Sequence, residues 1–218
     1  MVFSCLALLR HKQWLIASIL AGGAFLTRTT GIGLVIPLII VIAYDTWLHK
    51  RNGTLAQKDI WVKVISILIP LIIFAAWYFS PLGRNFFIVE RNFFGRQAFA
   101  FQKSWSGWSN VIADLGKNPE TTAYYTLEFA GIGLAFFSCL ITARQYLPEM
   151  LFGLFVIIIS VFSGVPQSMF RYMLVVPNTF VFLGHLGKHK IFDKAWTLLS
   201  ILFMGIQLTL FTFDMWVG

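Results

Sequence analysis

The stretch Leu26-Thr27-Arg28-Thr29-Thr30-Gly31-Ile32-Gly33 places one guanidinium and three hydroxyls between two long apolar runs. A cation at such a junction is costly unless it meets water, a partner or a ligand. Arginine suits phosphate because its planar donors can bind two oxygens at once. Thr27, Thr29 and Thr30 add hydroxyl donors, and Gly31 and Gly33 permit close backbone approach. The helix that begins just after them turns its first amides toward an anion. Arg171 is a second cation at a helix end. The expected phosphate-binding set is Arg28, Thr29, Thr30 and Arg171. The alternative for Arg28 is to snorkel to headgroups, or to pair with Glu120 or Glu128.

A second group lies in the long segment 81–121. Arg96, Gln102, Lys103 and Trp105 are candidates for contact with substrate or acceptor. Indole faces stack on pyranose rings, so Trp105 and Trp108 suit a sugar, with an interfacial aromatic belt as the alternative. Bilayer anchoring is the alternative for Arg96 and Lys103. Glu90, Asp114, Glu120, Glu128 and Asp214 form no recognisable acid–base pair, so no catalytic residue is assigned. There is no Asp-x-Asp motif, no Ser/His/Asp arrangement and no phosphate loop. Cys5 and Cys139 make neither a metal spacing nor a disulfide framework, and no metal is assigned.

The elements that must position these groups follow from composition. Of 218 residues, 58% are hydrophobic and 12% charged, and the mean hydropathy is +0.76. A soluble domain is about 45–50% apolar and about 25% charged. The chain is therefore expected to be a single all-α, polytopic transmembrane bundle over residues 1–218. The 23 Phe and 8 Trp fit lipid packing and interfacial belts. The net charge of +8 is read as fixing orientation in the membrane, not as binding nucleic acid.

Apolar runs predict seven helical spans at 14–28, 31–48, 61–80, 122–142, 148–163, 171–187 and 195–213, after an N-terminal stub at 1–9. The basic loops hold Arg10 and Lys12; Lys50, Arg51, Lys58 and Lys63; Arg144; and Lys188, Lys190 and Lys194. Counting helices puts all four on one face, which the positive-inside rule makes cytoplasmic. His11, His49, His185 and His189 fall there too. The junction 27–31, the segment 81–121 and the turn 164–171 fall on the outer face. Within 81–121, aromatics alternate with Arg84, Glu90, Arg91 and Arg96, which predicts one or two amphipathic helices lying in the interface.

The order of motifs resembles a known family. Leu-Thr-Arg-x-x-Gly (Leu26, Thr27, Arg28, Gly31) precedes an apolar helix with Pro37. Ala98, Phe99, Gln102 and Trp105 follow in the long outer segment, and Ser168, Arg171, Tyr172, Leu174 and Pro177 come later. This resembles the C-terminal half of the bacterial and archaeal PIG-V-like mannosyltransferases, relatives of GPI mannosyltransferase II with the GT-C fold, over roughly residues 5–185. The resemblance implies transfer of a sugar, typically mannose, from a polyprenyl-phosphate-linked donor at the outer face of a prokaryotic plasma membrane. Membrane lipid and that donor are the partners it implies, and no separate cofactor is evident. It also implies an acidic base in an N-terminal outer loop. Met1–Leu9 reads as the tail of a preceding helix, so the expectation is that an N-terminal half is lacking and a companion chain supplies it. Relatives often carry an acidic residue and Pro where this chain has Gly95-Arg96-Gln97, which points to a different acceptor. The rival readings are a transporter or flippase of an anionic lipid and a non-catalytic membrane subunit. Transporters tend to show paired internal repeats, and none is visible here.

Overall fold

A computed structural model describes residues 1–54 and 56–212, apart from the side chains of Glu120, Gln207, Leu210 and Phe211. All regular elements among the described residues are helical. They are α1 (Val2–Arg10), α2 (Trp14–Thr27), a 3₁₀ segment (Thr29–Leu34), α3 (Val35–Arg51), α4 (Gln57–Phe79), α5 (Pro81–Asn92), α6 (Phe101–Asp114), α7 (Pro119–Thr142), α8 (Leu147–Val161), α9 (Met169–Met173), α10 (Pro177–Leu186) and α11 (Lys190–Thr212).

Among the described residues, three stretches are long and apolar enough to cross a membrane: Thr29–Arg51, Gln57–Phe79 and Thr121–Thr142. This is an all-helical, membrane-embedded chain. α2 and α8 are apolar but shorter. The run 171–187, expected as one span, is broken into α9 and α10. Pro177 is the physical cause. It cannot donate into a preceding turn, and it pushes Val176 into extended backbone at ψ 110. The ten residues of α10 rise only about 15 Å. The segment 81–121 holds two helices, α5 and α6, in line with expectation.

The core lies where α1, α2, α3, α7 and α8 meet. The stub is part of it: Cys5, Leu6 and Leu9 are buried together with Ala17, Ala21 and Ala24 of α2. Leu34, Leu38 and Ile42 meet Phe152 and Val156 on the other side. α2 presents small residues inward, which suits membrane helices because backbones can approach without a hydrophobic driving force. Gly31 shows how close that approach is. A Cβ there would sit 2.5 Å from the carbonyl carbon of Ala24 and the nitrogen of Phe25. The expected close approach at Gly31 therefore serves helix packing.

Charged groups meet at one end. Arg10 Nε lies 2.9 Å from Glu149 Oε1, and its Nη2 donates to Glu149 Oε2 at 3.0 Å and to the Gln145 carbonyl at 3.1 Å. Asp45 takes Lys12 on one oxygen at 2.7 Å and Lys63 on the other at 2.6 Å. The Lys63 contact is a close ion pair without hydrogen-bond alignment. These contacts tie α1, α3, α4 and α8 together.

Removing the carboxylate of Asp45 strands the buried Lys63 ammonium. Asp45→Asn is expected to cost about 3 kcal/mol, read as a lower thermal midpoint in detergent. Lys12→Gln removes a largely exposed partner and is expected to cost under about 1 kcal/mol. Equal midpoints for wild type and Asp45→Asn would contradict the role of this triad.

Candidate functional site

The other end of α2 carries Arg28. The helix stops there because Arg28 turns extended, at φ −155 and ψ 130. The chain then re-enters through the 3₁₀ segment, where the Gly31 amide donates to the Arg28 carbonyl at 2.8 Å. That amide is thus committed to the turn and not open to an anion. Thr27 is committed as well, since its hydroxyl donates to the Ala24 carbonyl at 2.8 Å. Thr29 is half-buried. Thr30 is buried, and its Oγ1 has no hydrogen-bond partner among the described residues.

The Arg28 side chain lies over the ring of Tyr172, with Cζ 4.7 Å from the centroid. Arg96 lies over the same ring at the same distance. The two guanidinium carbons are therefore no farther apart than twice that length. Each gains from the ring's negative face. Among the described residues, no carboxylate lies within ion-pair distance of either. Arg96 donates to the Gln167 carbonyl at 2.7 Å. Arg28 has no side-chain hydrogen bond among the described residues, and a guanidinium carries five donors.

Two loops hold Arg96 against Tyr172. The Gln97 amide donates to the Ser163 carbonyl and the Ala100 amide to the Phe162 carbonyl, each at 2.9 Å. Ser104 Oγ accepts from the Gly164 amide at 2.9 Å. The Trp108 indole donates to the Val161 carbonyl at 3.0 Å. Gly164 has φ +98, and a Cβ there would press on Lys103 and Ala100. Residues 95–108 are thereby laced to residues 161–167.

The turn before α9 is held from α7. The Ser168 amide donates to Tyr124 Oη at 2.9 Å, and the Phe170 amide donates to Glu128 Oε2 at 2.6 Å. Ser168 itself is left-handed at φ 57, as is Phe99 at φ 58 in the facing loop. Non-glycine residues in that region are strained, and such strain clusters at functional sites.

Of the sequence candidates, Arg28 and Arg96 are brought together. Arg171 precedes Tyr172 on α9 and is exposed. Lys103 donates to the Gly95 carbonyl at 2.6 Å, beside Arg96. Gln102 lines a shallow open depression with Phe99, Phe101 and Lys103, and Trp105 is exposed. Trp108 is held by its bond to Val161 and its packing on Phe129 at 5.4 Å. Glu128, the suggested partner of Arg28, is spent on Phe170. The side chain of Glu120, and Asp214, lie outside the described residues. The residue that the sequence candidates lacked is Tyr172. Its signal was its place beside Arg171 in the Ser168-x-x-Arg171-Tyr172 stretch.

An aromatic wall flanks the site. Phe25 meets Phe74 at 5.1 Å and Trp77 at 5.2 Å, and Trp77 meets Phe86 at 5.4 Å and Phe87 at 5.6 Å. It joins the Arg28 end of α2 to α4 and α5. No protein-family model, no curated protein and no solved structure matches this chain.

Ser104→Ala leaves the buried Gly164 amide unpartnered, at a cost of about 1–3 kcal/mol. The expected outcome is faster hydrogen exchange across 95–104 and 161–168, with exchange in α3 and α7 unchanged. Exchange in both loops as slow as in wild type would show that the lacing is not held there.

Proposed function

We propose that this chain is a GT-C-type membrane glycosyltransferase of the PIG-V-like kind, acting on a polyprenyl-phosphate-linked sugar, typically mannose. The observation that carries the proposal is the pair of guanidiniums on Tyr172 with no carboxylate beside them among the described residues. In this reading α2 and α8, though shorter, join the three long apolar helices in a multi-pass bundle. Arg28 and Arg96 face the extracytoplasmic side of a prokaryotic plasma membrane, while Arg10, Lys12 and Lys63 face the cytoplasm.

Transfer breaks the bond between sugar C1 and the phosphate oxygen, and the electron pair stays on that oxygen. The acceptor hydroxyl oxygen forms the new bond to C1, and its proton passes to a base. The lipid phosphate thereby goes from a monoanionic diester to a dianionic monoester. Fixed cations stabilise charge that develops in this way better than solvent does. Arg28 would supply that field, with Thr29, Thr30 and Arg171 around it. Gln102, Lys103 and Trp105 would border the acceptor.

Four of the acids placed in the structure are engaged. Glu128 accepts from Phe170, Asp114 pairs with Lys117, Glu149 with Arg10, and Asp45 with Lys12 and Lys63. In this reading the chain's contribution is donor binding, and the base is expected from a companion chain.

The test uses purified protein in nanodiscs with polyprenyl-phosphate mannose and with the uncharged polyprenol. Wild type is expected to prefer the phosphorylated lipid, and Arg28→Ala to weaken its binding about tenfold or more, as loss of a charge-assisted hydrogen bond implies. Equal binding of polyprenol and the phosphorylated lipid would sink the proposal. Binding without transfer of labelled mannose to membrane acceptors, with every companion chain present, would favour the flippase or non-catalytic reading.

A further inference from the structure

The chain contains a second stacked arginine that serves as an internal comparison. Arg10 lies over Tyr146 with Cζ 4.5 Å from the centroid. Its Nε and Nη2 donors are taken by both oxygens of Glu149 and by the Gln145 carbonyl. The ring holds the guanidinium, and an anion completes it. At Tyr172 the ring is present twice over, for Arg28 and for Arg96, and among the described residues the anion is not supplied by protein. Two like charges on one ring repel, so a ligand of opposite charge relieves a cost that the fold sustains.

Arg96 is not a loose surface cation. It is half-buried, its own amide donates to the Glu90 carbonyl at 3.0 Å, and its guanidinium is braced by Gln167. The next amide, of Gln97, is tied to Ser163. The strained Ser168 and Phe99 flank this arrangement from both loops. The buried, unpartnered hydroxyl of Thr30 is two residues along the chain from Arg28.

We infer that Arg28, Tyr172 and Arg96 form one phosphate clamp in which Arg96 is the second phosphate-binding cation and Tyr172 is a positioning residue that sets the two guanidiniums. This rests on the donor-binding reading above and extends it. Two cations match a dianion better than a monoanion, so the clamp selects the lipid phosphate monoester, the form left when the sugar departs. A phosphate monoester gains its second charge with a pKa of about 6, whereas a diester stays at one charge. The preference for monoester therefore grows as pH rises through that value and shrinks below it. Placement over the Tyr172 ring also favours arginine at the site. Lysine at 96 keeps the charge but loses the flat contact and the paired donors.

The experiment measures binding to the nanodisc-embedded chain of four probes: a polyprenyl monophosphate, its methyl diester, the uncharged polyprenol and inorganic phosphate. Wild type is expected to bind the monoester about tenfold or more tighter than the diester near pH 7.5, and to lose most of that preference near pH 5. Arg96→Gln and Tyr172→Leu are expected to abolish the preference, Arg96→Lys to weaken it, and Tyr172→Phe to keep it because the π face remains. Arg144→Gln, an exposed arginine outside the site, is expected to bind as wild type does. If Arg96→Gln and Tyr172→Leu keep the preference while Arg28→Gln weakens binding, the clamp is overturned and the role of Arg28 stands. If Arg28→Gln also binds like wild type, the donor reading fails with it. Displacement of the lipid by an equal concentration of inorganic phosphate would assign the site to a free anion and overturn the lipid assignment.

Discussion

Every cation inside an apolar bundle must be met by something that offsets the loss of water, and this chain meets the requirement in two ways. At one end carboxylates do it: Asp45 between Lys12 and Lys63, and Glu149 on Arg10. At the other end a tyrosine ring does it for Arg28 and Arg96. A carboxylate neutralises a guanidinium and occupies its donors. A ring face steadies the charge and leaves the in-plane donors available. The first solution makes a structural joint, and the second leaves room for an anion from outside the chain. The contrast between Arg10 and Arg28 is thus a contrast of chemistry within one residue type.

α2 connects the two ends, and its sequence explains why it can. It rises about 21 Å over its 14 residues. Its inward face is built from Ala17, Ser18, Ala21, Gly22 and Ala24. Small side chains let α4 and the 3₁₀ segment come close, and Gly31 touches the backbone of α2 directly. A larger residue there would push the Arg28 turn away from Tyr172. Helix packing and cation placement are therefore one constraint at this junction.

Much of the fold was legible in the sequence because its signals are local. Apolar length located α2, α3, α4, α7 and α8, and the alternation in 81–121 located α5 and α6. The break in 171–187 was carried by Pro177, but an apolar run counted by hydropathy alone conceals it. The role of the stub at 1–9 was hidden for another reason. Nine residues are too few to span, and only tertiary contact shows Cys5, Leu6 and Leu9 as core. At the site, Arg28 stood out by its cost among apolar residues. Arg96 was a candidate in the long segment, but its meeting with Arg28 on Tyr172 was not legible, because it joins positions far apart in the chain. Trp108 and Thr27 have ordinary hydrogen-bond partners that residue type alone does not disclose.

The lacing between residues 95–108 and 161–167 gives a reason for the length of the 81–121 segment. A connection of about forty residues is far longer than joining two helices requires. Here it returns Arg96 to Tyr172, which a short turn from α4 to α7 would not reach. The return depends chiefly on backbone pairing: the amides of Gln97 and Ala100 meet carbonyls across the gap, and the Gly164 amide meets the Ser104 hydroxyl. Backbone pairing holds position while allowing side chains to vary. Gln102 and Trp105 lie exposed on the first turns of α6, while Ser104 between them is buried against Gly164. The same segment thus places a cation with one part and presents an exposed surface with another. That division is what a loop over a lipid-phosphate site would need.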